Sequence, residues 1–253
     1  MTRAAQRRDG TVLIRAEAES AEDRELALER MRFALGVDDD YREVYEEFRR
    51  DRLLGATIRA KPWYRPRRRP WAWEALAWSI TKQLIESGRA AAIQRRMVYR
   101  WGATRDDADG LVLRDVPTPR LISERSPAEL AAVDLSAGRA LAMIKVAREV
   151  CEGRVDPADV TDDPRLLSIR EIGPWTIQCL GLYGRGEVDS LPAGDLGYIK
   201  LVGHLAGLGR RATIEEVEEF FRPYEPYRGL AGDFMLFGHH KAIAQGPPLR
   251  MAA

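Results

Sequence analysis

The stretch from Leu166 to Lys200 holds the residues whose types and spacing suit chemistry. Leu166, Leu167 and Ile169 are apolar on one side, Gly173 breaks the pattern, and Pro174 suits the first position of a new helix. Two helices are therefore predicted to meet at a very tight turn. A hairpin built this way points main-chain N–H groups outward. Those donors, with the positive end of the second helix, bind a phosphate oxygen without regard to base sequence. Downstream, Leu191-Pro192-Ala193-Gly194-Asp195-Leu196-Gly197 places a single carboxylate after a glycine and ahead of an apolar helical segment, where Asp195 suits a helix N-cap. Taken alone, the turn also reads as an ordinary corner between helices, and Asp195 as a structural cap. Their combination, with an apolar run between them, favours an anion-binding hairpin followed by a working carboxylate.

Other chemistries find less support. His204, His239 and His240 lack a matching acidic or cysteine cluster, so no side-chain metal site is expected. Cys151 and Cys179 are too few for a disulfide framework or for an iron–sulfur cluster held by thiolates alone. No apolar run approaches the roughly 20 residues of a membrane helix. Met1 to Asp9 has no apolar segment like that of a secretory signal, so a cytoplasmic, nucleoid-associated protein is expected. The net charge of +1 is no global nucleic-acid signature, and attraction to phosphates has to come from local clustering. Arg65, Arg67, Arg68 and Arg69, then Arg89, Arg95, Arg96 and Arg100, supply such clusters, although each can equally be a solvated charge.

With 253 residues, 45% of them hydrophobic, the chain can bury a sizeable core as one large domain or two small ones. Thr11 to Ala16 is a short β-like run. Ser20, with Asp23, caps a helix expected to carry Leu28, Met31 and Leu35 toward a core. Tyr41, Val44, Tyr45 and Phe48 mark a second helix, predicted to end near Leu53 to Gly55. Lys61 to Pro70 mixes prolines, aromatics and arginines and reads as a basic linker. Trp73, Leu76, Ala77, Ile80 and Leu84 mark one face of a strong helix, and Ile93, Met97 and Trp101 the next. Leu111 to Leu113 supports no more than a small ribbon. Thr118 before Pro119, the capping box from Ser126 to Glu129, and Asp163 before Pro164 start further helices. Leu141, Ile144 and Val150 continue the helical pattern, and Thr213 with Glu216 caps a helix ending at Phe221.

The stretch around Asp195 resembles the helix-hairpin-helix (HhH-GPD) base-excision DNA glycosylases, which end in a Gly/Pro-rich loop and an Asp, and particularly the bacterial inducible 3-methyladenine type. The match runs from about Leu35 to His240 and is sharpest over Ile169 to Lys200. Trp73-Glu74-Ala75-Leu76 with Ile80 and Gln83 is similar to the segment that precedes the residues wedged into the DNA stack. Pro226-Tyr227-Arg228 is similar to the late signature of the family. Three separated matches in the right order are more specific than any one.

The resemblance implies a mainly α, two-lobed fold with a short or reduced N-terminal β element, and a DNA cleft between the lobes with Asp195 and Trp175 at its mouth and the hairpin on its rim. It divides the chain into an N-terminal segment of scaffold helices (1–60), the glycosylase core (61–245, hairpin about 164–183, catalytic loop 190–196) and a tail (246–253). Asp195 falls where the family keeps its catalytic carboxylate, which stabilises positive charge on the deoxyribose as the base leaves and orients the attacking water. Trp175 stands where bifunctional members carry a Schiff-base lysine, which implies a monofunctional enzyme that leaves an abasic site. Trp175, Tyr224 and Cys179 then line the base pocket, Cys179 in place of the family's tyrosine. Gln83 and Leu84 align with the residues that fill the gap left by the flipped nucleotide, Leu84 as the wedge, although core packing at a helix end is the other reading. Gly173, Pro174 and Thr176 would contact DNA at the hairpin, where Glu171 departs from the family's usual glycine. The carbonyls of Leu167, Ile169 and Ile172 would hold a monovalent cation, Na+ or K+, with no other cofactor.

The implied function is hydrolysis of the N-glycosidic bond of alkylated purines, 3-methyladenine and 7-methylguanine, flipped out of duplex DNA by a monomer. Two alternatives stay open: a glycosylase for an oxidised or deaminated base, and a noncatalytic helix-hairpin-helix protein that binds damage.

Overall fold

A computed structural model describes residues 1–106 and 110–245, with side chains up to His239. The expected tail lies outside the described residues. Among those residues the chain is mainly α, with thirteen α-helices and two small antiparallel sheets. Strand β1 (Thr2–Gln6) pairs with β2 (Val12–Ala16), with Arg3 opposite Arg15 and Ala5 opposite Leu13, and forms the short N-terminal β element. Helices α1 (Ala21–Leu35), α2 (Arg42–Phe48), α3 (Gly55–Ala60), α4 (Ala72–Lys82) and α5 (Ser87–Trp101) follow. A ribbon of β3 (Thr104–Asp106) and β4 (Val112–Arg114) then leads to α6 (Pro119–Ser123), α7 (Pro127–Ala131), α8 (Ala137–Cys151), α9 (Asp163–Leu167) and α10 (Pro174–Leu180). A π-helical turn (Gly181–Arg185) continues α10, and α11 (Leu196–Leu205), α12 (Ile214–Phe221) and α13 (Arg228–Gln245) complete the order. No described helix is long and apolar enough to cross a membrane.

These elements form two compact units that do not follow the sequential division expected at residue 60. One unit is Ala72–Leu180; the other joins Met1–Trp71 to the described residues from Gly181 onward. The reason lies in Lys61 to Pro70, which is an anchored segment rather than a linker. The Tyr64 ring stacks on Phe237 at 4.3 Å, and its hydroxyl donates to Asp233 on α13 at 2.7 Å. Tyr183 donates to the other oxygen of the same carboxylate, whose burial pushes its pKa up. Arg68 pairs with Asp39 at 2.6 Å, and Arg65 lies over the ring of Tyr41 while donating to the Tyr45 hydroxyl. Two of the arginines read as phosphate ligands are thus spent within the fold.

Within the split unit, Val44, Phe48, Ile58, Tyr198, Leu201, Val217, Phe221, Phe234 and Met235 make the core. Helix α1 contributes no buried residue, and Leu35 is exposed. Leu28 and Met31 are half-buried, and α1 lies against the two-stranded ribbon, a partner too thin to exclude water. Helix α2 also ends earlier than expected. Asp51 Oδ1 accepts from the Leu53 and Leu54 N–H groups and starts α3 as a separate helix.

The second unit packs Leu76, Ile80, Ile93, Met97, Leu130, Met143, Leu166 and Leu180. Its caps match the sequence. Ser126 and Glu129 form a reciprocal capping box, and Thr118 caps α6; in the split unit Thr213 and Glu216 do the same for α12. Helix α8 buries Ala140, Met143, Ile144 and Ala147, an i, i+3, i+4, i+7 stripe, which leaves Leu141 exposed instead of in the core.

Candidate active site

In the Ala72–Leu180 unit the predicted hairpin is present, and apolar burial sets its shape. Leu166, Ile169 and Ile172 are buried, and the turn closes through Ile169 N–H to Leu166 O and Ile172 N–H to Ile169 O, both 3.0 Å. Glu171 adopts φ +73°, the left-handed conformation in which a Cβ is strained. Glycine is the residue that takes this angle freely, which gives physical content to the departure at this position. Replacing Glu171 by glycine should stabilise the unit by about 1 kcal/mol, seen as a higher thermal midpoint; a lowered midpoint would mean that the glutamate side chain contributes more than its backbone strain takes away.

Packing does not require glycine at position 173, since a Cβ there would meet nothing within 4 Å and the position faces open space. Its N–H and that of Trp175 have no acceptor among the described residues, as expected of donors at a helix start. Pro174, without an N–H, occupies the first position of α10. Thr176 is not placed to touch DNA through its side chain: it is 1% exposed, and its hydroxyl accepts from Gln83 Nε2 at 3.0 Å. Gln83 Nε2 also donates to the Glu171 carbonyl at 2.6 Å, so its amide group ties the end of α4 to the hairpin. Leu84 follows at φ +54° with its side chain fully exposed. It lies beyond α4, so it belongs neither to the buried face of that helix nor to the core. Trp175 is half-buried and its Nε1–H meets no acceptor among the described residues; Cys179, one turn on, is buried.

The three hairpin carbonyls differ in what is left to bind a cation. Ile169 O already accepts from Ile172 N–H, whereas those of Leu167 and Ile172 accept no hydrogen bond among the described residues. Neutral carbonyl oxygens with no carboxylate among them are better matched in charge to a monovalent cation than to a divalent one, whose sites are usually built with carboxylates. No group of His, Cys, Asp and Glu side chains suited to a metal occurs among the described residues.

In the split unit, Asp195 caps α11. Its Oδ1 accepts from Gly197 N–H at 2.7 Å, and its carbonyl accepts from Ile199 N–H at 2.9 Å. The other carboxylate oxygen makes no hydrogen bond among the described residues, and the residue is partly exposed. The loop before it is fixed by buried Leu191 and Ala193 and by Asp195 N–H to Pro192 O at 2.8 Å. Tyr224, expected as a pocket wall, is a core residue: its ring lies 5.3 Å from Phe48 and its hydroxyl donates to Asp51. Size and aromaticity alone did not distinguish these two roles.

Sequence reasoning missed Asp189. Arg228 grips its carboxylate through Nε at 2.9 Å and through Nη2, and the Arg228 N–H donates to it at 3.0 Å. Partial burial works to raise the pKa of Asp189, but the guanidinium and the main-chain donor hold it below the usual aspartate value. Leu230 N–H donates to Val188 O at 2.8 Å, and Gly229 passes so close to the Ser190 carbonyl that no Cβ fits. The Pro226-Tyr227-Arg228 segment therefore holds the loop that leads to Asp195, a role visible in the sequence only as a signature without a partner.

No family model matches the chain. The DNA-3-methyladenine glycosylase of Bacillus subtilis (strain 168) is 24% identical over 201 residues, covering 77% of this chain and 66% of that protein. The chain thus spans just under two thirds of that relative's length. The structure of 3-methyladenine DNA-glycosylase from Archaeoglobus fulgidus superimposes with a TM-score of 0.82 at 22% identity, over 97% of this chain and 84% of that one. That of Clostridium acetobutylicum 8-oxoguanine glycosylase/lyase with double-stranded DNA gives 0.73 at 16% identity, over 95% and 88%. The fold is that of the helix-hairpin-helix DNA glycosylases.

Proposed function

We propose that this chain is a monofunctional DNA glycosylase that removes alkylated purines, 3-methyladenine and 7-methylguanine, from duplex DNA. The observation that carries the reading is Asp195, held as an N-cap through one oxygen with the other left to act, in the loop that the sequence resemblance matches to the family's catalytic carboxylate. As the glycosidic bond breaks, its electron pair leaves with the base and positive charge grows on the sugar. The Asp195 carboxylate stabilises that charge and orients the water that adds to the sugar carbon. Alkylated purines with a formal positive charge are already good leaving groups, which suits a site with a single carboxylate. Trp175 supplies an aromatic face for such a base and has no amine with which to form a Schiff base. The N–H groups of Gly173 and Trp175 bind a phosphate oxygen, Leu84 enters the stack, and the carbonyls of Leu167, Ile169 and Ile172 would hold Na+ or K+ to add positive charge beside that phosphate.

The test is base release from duplex DNA treated with a methylating agent. Free 3-methyladenine and 7-methylguanine are expected by chromatography, with strand breaks only after alkali and no adduct trapped by borohydride. Trapping would overturn the monofunctional assignment. Release confined to oxidised or deaminated bases would move the substrate, and tight binding of lesion DNA without any release would leave a noncatalytic damage-binding protein.

A further inference from the structure

Backbone strain in the described residues is concentrated in one place. Three non-glycine residues have left-handed φ angles: Leu84 (+54°), Asp134 (+74°) and Glu171 (+73°). One buried side chain, Arg139 on the first turn of α8, hydrogen-bonds the turn that carries Leu84 and interacts electrostatically with both Asp134 and Glu171. Its Nη1 donates to the carbonyl of Thr81, in the last turn of α4, at 3.1 Å and to that of Gln83, just before Leu84, at 3.2 Å. Its Nε donates to Ser136 Oγ at 2.8 Å. Gln83 reaches from the same turn to the Glu171 carbonyl, and the Glu171 carboxylate lies against Gly138, where a Cβ would stand 2.9 Å from its Oε1. On the far side of Leu84, Arg89 near the start of α5 makes a two-pronged pair with Asp134, at 2.9 and 2.8 Å.

The Leu84 turn is thus clamped at both ends, and the clamp on its α4 side is a buried guanidinium directed at main-chain carbonyls instead of a carboxylate. Left-handed angles at residues other than glycine persist only where surrounding contacts over-determine them, and they cluster where a strained shape is used. An exposed leucine on a slack loop would have to be ordered each time it entered a base stack; a clamped one is ready. We infer that Arg139 is the positioning residue that holds Leu84 outward for insertion into DNA, an inference that rests on reading Leu84 as the wedge.

The test uses a duplex carrying a tetrahydrofuran abasic analogue with 2-aminopurine as its neighbour, whose fluorescence rises when the base is unstacked. Saturating wild-type protein should raise the signal, and Leu84→Ala should not. Arg139→Met should give less than about a third of the wild-type rise, and Arg139→Lys, which keeps the charge but not the fork, an intermediate one. Duplex affinity should stay within roughly threefold, because phosphate contacts dominate it. Loss of structure alone would lower affinity and signal together, and would overturn the inference; if Arg139→Met does not fold, Arg139→Lys carries the test. A full rise with the arginine variants overturns the inference while leaving the wedge intact. No rise with wild type removes the wedge reading itself, and Arg139 with it.

Discussion

Asp195→Asn is expected to slow single-turnover base release by about a thousandfold while duplex affinity changes less than about threefold. Asparagine is as good an N-cap as aspartate, so the bond from Gly197 N–H and the start of α11 survive the change. What disappears is the negative charge, and with it the stabilisation of a cationic sugar. Asp195→Ala separates the two roles, because it removes the cap as well and should lower stability by about 1 kcal/mol. If the alanine and asparagine variants lose the same activity but only alanine loses stability, the charge is what the reaction needs. If asparagine retains wild-type release, Asp195 is a structural cap and the catalytic assignment fails.

The sequence was most legible where structure is decided by near neighbours. Both capping boxes, the Thr118 cap and the Gly173-Pro174 turn could be read because donor and acceptor lie within a few residues. The buried stripe of α8 is legible at Ile144 and at Val150, which packs against the core, but not at Leu141, which is apolar and exposed while small alanines of the same helix are buried. Alanine carries little periodic signal. The pairing of residues 1–71 with those beyond 180 was not legible, because it rests on contacts such as Tyr64 with Asp233 that join distant parts of the chain. At the site, the departure at Glu171 was visible as a residue type, but its left-handed angle required the fold. The resemblance points to Thr176 as a DNA contact and Tyr224 as a pocket wall, and tertiary packing buries both. Asp189 carried no local signal at all, since its partner Arg228 lies on another element.

That pair yields the second large effect. Arg228→Met should reduce the maximal rate of base release by about a hundredfold and change the KM for DNA only a few-fold. The methionine fills similar space, and the main-chain N–H of residue 228 still reaches Asp189, so the fold is retained while the loop loses its two-pronged grip. Asp195, at the end of that loop, then samples positions from which its carboxylate no longer faces the developing charge. Asp189→Asn in the same chain removes the carboxylate left without its guanidinium, and should recover part of the rate. A fall in DNA affinity equal to the fall in rate would instead make Arg228 a phosphate ligand. The pair also predicts a pH dependence of stability. The Asp189 pKa is lower folded than unfolded, so its contribution is present above the unfolded value, about 3.9, and is lost as pH falls through the folded one. Below about pH 4 the wild-type thermal midpoint should therefore fall more steeply than that of Asp189→Asn. Parallel curves would show that the grip on the loop does not depend on the charge of Asp189, and that shape alone holds Asp195 in place.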